Sequence, residues 1–334
     1  MFRKRLPKPI VTCLCLSLIG ASAVAGQVMW RTTGSLNQAR LQTPATLLPD
    51  GRVLLVGSLS CNPGCTSYAT GEVYDPAKGL WSPILPPHTP RFNHAIVLLQ
   101  SGRVLVAGGY LTPGVLTGSC EIFDPATEAW TQTGSLSTPR QFHEAVMLAD
   151  GRVLVAGGLG MDGKGSFVTL GSAEIYDPAS GQWSSAGTLA AARYLNTLTI
   201  LGDGRVLAVG GEDRINGQSD SVLSSAELYD PESNSWNPAA SLLTARSSHS
   251  ATVLPSGLVL ISGGYAPSGL PIQSAELYDP GADHWTPAAG MRAPRGDHSA
   301  TLVAGGCWLW VGEATGLRLK SMIRLAEPGP PRPN

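Results

Sequence analysis

Charge is scarce in this chain. Only 14% of its 334 residues are Asp, Glu, Lys or Arg, and aromatic side chains are a further 6%. The formal charge is −1, and the first 25 residues hold Arg3, Lys4, Arg5 and Lys8 with no acid, so the remainder without those four basic groups stands at −5. A body of that sign lacks the basic footprint of a nucleic-acid binder. It has no polybasic or lipid-anchoring segment either. Catalytic signatures are missing too: there is no Gly-x-Ser-x-Gly elbow, no phosphate loop and no His-Glu-x-x-His. What the chain has in plenty is turn-formers, with 40 glycines and 26 prolines. Glycine supplies positive φ and proline presets turn geometry, so the composition fits many short strands joined by tight turns. With 43% hydrophobic residues the body can fill a core, which excludes a disordered chain.

Residues 1–25 read as a secretory signal peptide. A basic start leads into an apolar stretch from Ile10 to Val24, and Ala23-Val24-Ala25 offers the small-x-small pattern that signal peptidase needs. Cleavage before Gly26 predicts a secreted, periplasmic or cell-surface protein. The apolar run is short for a stable membrane span. Cys13 and Cys15 have more apolar sequence after them, unlike a lipid-attachment cysteine. In an oxidising destination Cys61 and Cys65 are expected to close a short disulfide loop, since a zinc set would need more than two thiols without nearby histidines. Cys120 reads as a buried free thiol. No metal or other cofactor is expected.

The main signal is an internal repeat of about 50 residues. Asp50-Gly51-Arg52-Val53-Leu54-Leu55-Val56-Gly57 returns at Gly102-Arg103-Val104, Gly151-Arg152-Val153, Gly204-Arg205-Val206 and Gly257-Leu258-Val259. Double glycines close the later copies, ending at Gly109, Gly158, Gly211 and Gly264. Each is followed by Glu-x-Tyr-Asp-Pro or its near equivalent, with Glu72, Glu121, Glu174, Glu227 and Glu276 in one frame. A tryptophan ends each unit, at Trp81, Trp130, Trp183, Trp236 and Trp285, and Trp30 precedes the first.

These phrases have a mechanical reading. An apolar β-branched run such as His94–Leu99, a turn at Ser101-Gly102 and the run Arg103–Ala107 form a hairpin. Glu-x-Tyr-Asp-Pro is a third strand ended by a turn, because proline cannot donate to a ladder and Asp bonds locally. The tryptophan strand completes a four-stranded unit whose large ring fills space between sheets. Such a sheet cannot bury both faces alone, and stacking several around an axis solves that problem.

In its double glycine, tyrosine and tryptophan, this repeat resembles the kelch family, in the manner of the exported bacterial chains that are similar to the central domain of galactose oxidase. The resemblance covers roughly residues 30 to 312. It implies an all-β fold, a kelch-type β-propeller of about six four-stranded blades, with ligands taken by loops at the strand ends. Some members are enzymes, such as copper oxidases and sugar epimerases, but the tyrosine, histidine and cysteine-modified tyrosine those oxidases need have no convincing counterpart here. The expectation is therefore an exported binding or scaffold module for a protein or glycan, not an enzyme.

Arg-x-x-His starts four units: Arg91 to His94, Arg140 to His143, Arg246 to His249 and Arg295 to His298. Elsewhere it becomes Arg40 to Thr43 and Arg193 to Asn196. A ring of imidazoles could hold a metal or an anion. Recurrence once per unit, and replacement by Thr and Asn, favours a structural role instead. The phased glutamates are expected to pair with these arginines. Function is then expected in the variable segments after the glycines, 58–70, 110–119, 159–171, 212–224 and 265–273, where Tyr110, Met161, Asp162, Phe167, Asp213 and Tyr265 are the ligand-binding candidates.

From Ala304 the pattern breaks. Where the other units continue Asp-Gly-Arg-Val-Leu-Val, the sixth reads Ala304-Gly305-Gly306-Cys307-Trp308-Leu309-Trp310. A frameshift accounts for this. Take a coding sequence for Asp-Gly-Arg-Val-Leu-Val-Val-Gly-Gly, then Ser-Ser-Ala-Glu-Ile-Tyr-Asp-Pro and a closing Trp, and remove the adenine of its first codon. With suitable third-position bases it translates as Ala304 to Gly329 throughout. The propeller is accordingly expected over 26–312, with 313–334 an aberrant tail and the last blade missing its final two strands.

Overall fold

The computed structural model describes residues 33–40, 43–61, 65–112, 114–214, 221–303, 306–310 and 324–325, with only the backbone course given at 60–61, 65–66, 303, 306–310 and 324–325. The signal-peptide expectation for residues 1–25, Trp30 and nearly all of the tail lie outside these residues.

Five four-stranded antiparallel sheets follow one another along the chain. The first holds Ala45–Leu47, Val53–Cys61, Cys65–Asp75 and Leu80–Ile84. The second holds Ala95–Leu98, Val104–Ala107, Cys120–Asp124 and Ala129–Thr133. Then come Glu144–Met147, Val153–Ala156, Ser172–Asp177 and Gln182–Thr188, followed by Thr197–Ile200, Val206–Val209, Ala226–Asp230 and Ser235–Ala239. The fifth holds Ser250–Val253, Val259–Ser262, Ala275–Asp279 and His284–Ala288. First strands of successive sheets lie side by side, from Ala45–Leu47 round to Ser299–Val303, so the sheets are blades set about a common axis. This is the all-β propeller architecture expected from the repeat.

Packing between blades follows from strand parity. The second strand of each blade is buried on both faces, and successive side chains point to opposite sides. Val104 and Val106 therefore enter the joint with blade one, beside Leu54, Val56 and Val73. Leu105 and Ala107 enter the joint with blade three, beside Val153, Val155 and Tyr176. The alternation continues, with Leu154 and Ala156 meeting Val206 and Ala208, and Leu207 and Val209 meeting Val259 and Ile261.

The tryptophans lock the outer rim. Within a blade each packs on the tyrosine or phenylalanine of the third strand, as in Phe123–Trp130 at 5.0 Å and Tyr229–Trp236 at 5.1 Å between ring centroids. Its indole N–H then donates to the preceding blade: Trp130 to the Leu85 carbonyl at 2.8 Å, Trp183 to Gly134 at 2.9 Å, Trp236 to Ala186 at 3.0 Å and Trp285 to Ala240 at 2.7 Å. Turns on this side use the Asp-Pro step, where the Asp124 carboxylate accepts the Ala126 N–H at 2.9 Å and Asp177 accepts Ala179 at 2.8 Å.

The sixth sheet has three strands, Ser299–Val303, Gly306–Trp310 and Arg324–Leu325. The frameshift reading left the blade without its last two strands, whereas the backbone here forms a full pair and a two-residue third strand. Cys307 to Trp310 is an apolar, aromatic run of high strand propensity, and that suffices for pairing in either reading frame.

Candidate functional site

The repeat arginine enters each blade just before its first strand and is buried. Arg91, Arg140, Arg193 and Arg246 are fully inaccessible. Such a cation needs several acceptors at once, and every blade supplies the same set. For Arg140, Nη1 donates to the carbonyls of Gly157 at 2.9 Å and Ser172 at 2.8 Å, while Nη2 donates to Ser172 Oγ at 3.0 Å and Glu174 Oε1 at 2.9 Å. The pairing expected between repeat arginines and glutamates is present within each of blades one to five: Arg40–Glu72, Arg91–Glu121, Arg140–Glu174, Arg193–Glu227 and Arg246–Glu276, at 2.6–2.9 Å.

The second carboxylate oxygen is used as well. Glu174 Oε2 accepts the Ser137 N–H at 2.7 Å, Glu227 the Ala190 N–H at 2.7 Å and Glu276 the Leu243 N–H at 2.7 Å. One arginine thus ties the lead-in segment, the glycine turn and the third strand together. In blade two the lead-in is fixed by His88, whose backbone N–H and Nδ1 both reach Glu121 Oε2. Burial works against ionisation of Glu121, but the bonds from His88 and Arg91 outweigh it and hold the carboxyl below its ordinary value. The serine hydroxyl two residues before each glutamate (Ser119, Ser172, Ser225, Ser274) escaped the sequence reading, although Ser-x-Glu recurs there.

The repeat histidines sit in the joints. A Cβ added to Gly108 would meet His143 Cε1 at 2.8 Å and the Arg140 carbonyl at 2.9 Å, and one on Gly210 would meet His249 Cε1 at 3.0 Å. The first glycine of each pair is therefore the seat for the next blade's ring. The second, Gly109, Gly158, Gly211 or Gly264, donates its N–H to the next blade's arginine carbonyl at 2.8–2.9 Å. Burial, with a nearby arginine adding to it, drives the imidazoles neutral: His94 lies well below its ordinary value, and His143, His249 and His298 fall to about 3. Among the described residues no three His, Cys, Asp or Glu side chains converge as metal ligands.

The variable segments all emerge at the histidine end of the blades, and most of them are hairpins rather than loops. Blade one extends its second and third strands to bring Cys61 opposite Cys65 in backbone register; the side chains of this expected disulfide lie outside the described residues. Blade two pairs Tyr110–Leu111 with Val115–Leu116, blade three Leu159–Met161 with Phe167–Thr169, and blade four Glu212–Asp213 with Ser221–Val222. Adjacent hairpins are fastened together. Ser67 N–H donates to Thr112 Oγ1 at 3.0 Å, the Tyr110 and Phe167 rings lie 6.0 Å apart, and Arg214 N–H donates to Thr169 Oγ1 at 2.7 Å.

Of the ligand-binding candidates, Tyr110 and Phe167 are brought together, and Met161 lies opposite Phe167 and is 40% exposed. Asp162 accepts the N–H groups of Lys164 and Ser166, capping its own hairpin turn. Asp213 stands one blade further on, half-buried. Tyr265 faces Asp297, donating its hydroxyl to Oδ2 at 2.9 Å; burial and that carboxylate push the phenol up. Cys120 is a buried free thiol, and burial raises it to about 11.

A family model described as "Kelch motif" matches residues 196–243, a stretch that runs from the joint residue Asn196 through the whole fourth blade. The repeat is a kelch repeat. Two human proteins share it with this chain. Kelch-like protein 33 is 36% identical over 101 residues, 30% of this chain and 18% of its own length, and Kelch-like protein 34 is 35% identical over 104 residues, 31% of this chain and 15% of its own. This kelch chain thus aligns with less than a fifth of either relative. Kelch repeat domains are typically protein-binding modules, and the present one has the blade architecture that goes with them.

Proposed function

We propose that this kelch propeller is an exported, non-catalytic binding module that takes a protein partner on its hairpin face. One observation carries the reading: the hairpins of blades one to four are fastened edge to edge into a continuous rim, with the Tyr110–Phe167 pair and exposed Met161 on it. A rigid scaffold that presents varied, partly apolar side chains is the usual form of a recognition surface. The opposite face consists of short repeated turns, closed by local pairs such as Arg152–Asp150 at 2.7 Å. Export is supported by the basic, apolar and Ala-x-Ala succession of residues 1–25.

A photo-crosslinking residue at Met161, compared with one at Glu128 on the turn face, tests the surface. Capture of one protein from the Met161 position alone is the expected result, and capture only from Glu128 would overturn it. Residues 1–25 fused to a reporter active only outside the cytoplasm test export. Sequencing the gene through codon 304 tests the frameshift: another frame resuming Tyr-Asp-Pro and Trp supports it, and no such frame removes it.

A further inference from the structure

First strands begin one residue beyond the joint position, and in blades two to six that first residue is Ala95, Glu144, Thr197, Ser250 and Ser299. Blade three alone places a charge there. Its strand Glu144–Met147 has Ala95–Leu98 on one side and Thr197–Ile200 on the other, and pairs with Val153–Ala156 behind. With those three directions filled, the solvent exposure of Glu144 opens toward the axis at the hairpin end.

No hydrogen bond or ion pair reaches this carboxylate. The charged and titratable groups on the elements around it are already engaged or neutral. Arg91, Arg140 and Arg193 are turned on to Glu121, Glu174 and Glu227. His94 and His143 are held neutral by burial. Although its tip meets solvent, protein encloses Glu144 at longer range, and that desolvation raises its pKa to about 7. A carboxylate in such a place has lost water without gaining a counter-charge. A cation delivered from outside would supply one.

We propose that the axial mouth of the hairpin face receives a basic side chain of the protein partner, lysine or arginine, on the Glu144 carboxylate. The inference rests on the hairpin face being the docking face. A long, thin side chain carrying its charge at the tip suits entry along an axis between blades, and its stem can lie against the apolar rim.

Propylammonium and ethylguanidinium are the probes, titrated into the full chain with glutamate side-chain carboxyls labelled for NMR. One glutamate resonance is expected to shift saturably, and its titration midpoint to fall once the probe is bound. Glu144→Gln is expected to weaken binding about tenfold or more, whereas Asp162→Asn leaves it unchanged. Propanol, matching propylammonium in size without charge, is expected not to bind. Equal binding to the Glu144→Gln variant, equal binding of propanol, or no saturable binding overturns the proposal. The crosslink from Met161 reads the docking face separately. A partner captured there with an affinity indifferent to Glu144→Gln sinks the basic side chain and leaves the face standing.

Discussion

The joint between blades two and three and the joint between blades three and four differ at one residue. His143 rests on Gly108 in the first, and Asn196 takes that place against Gly157 in the second. Around them the same parts recur: a buried arginine, its glutamate, and a backbone bond from the second glycine. In blade one the equivalent residue is Thr43, which donates to the Gly57 carbonyl at 3.1 Å. The position therefore asks for a compact polar group that fits a glycine and does not ask for charge. An imidazole placed there is neutral, and neutrality has a consequence that amide and hydroxyl escape.

The largest way to break the likeness of the two joints is to attack what they share. Glu174→Gln leaves Arg140 buried opposite a neutral amide and is expected to cost about 3–5 kcal/mol in chemical denaturation. An unchanged midpoint would show that the arginine is satisfied by carbonyls alone. Next comes Gly157→Ala. The residue has φ +71°, and its new Cβ would collide with the Arg193 carbonyl, so a loss of about 2–3 kcal/mol is expected. Gly163→Ala, which meets nothing within 4 Å, serves as the control and should be nearly silent.

The difference itself is tested by pH. An imidazole at about 6.5 unfolded and about 3 in the fold contributes fully above pH 6.5 and loses that contribution as pH falls toward 3. Between pH 6.5 and pH 5 each such group should lose about 2 kcal/mol. His143→Asn copies the neighbouring joint and should flatten the acid limb of the melting curve by that amount. A variant as acid-sensitive as the parent would mean that His143 gains its proton without unfolding. The smallest effect belongs to the turn face, where Asp150→Asn breaks an exposed pair with Arg152 and should cost under about 1 kcal/mol.

Blade number, strand order and the tryptophan seams were legible because each is written as a phrase that returns. The arginine–glutamate pairing was legible for the same reason, through shared phase. What the arginine does with its remaining donors was not, since carbonyls of Gly157 and Ser172 leave no mark in a side-chain pattern. Ser172 could have been found, because Ser-x-Glu recurs in four blades. Glu144 lay hidden for the opposite reason. It breaks the repeat at a position where the other blades are uncharged, and only the placement of its strand next to the axis gives the break a meaning. Hairpins passed for loops because two- and three-residue strands are too short to show alternation.

Each blade carries an indole directed at its predecessor and a pair of glycines shaped for its successor. Every unit thus has both halves of the same connector, and neither half depends on where in the series it stands. Such a chain can lengthen or shorten by whole units through gene duplication or loss without inventing a new interface. Individual lineages are then free to alter the hairpin ends while the connectors stay fixed.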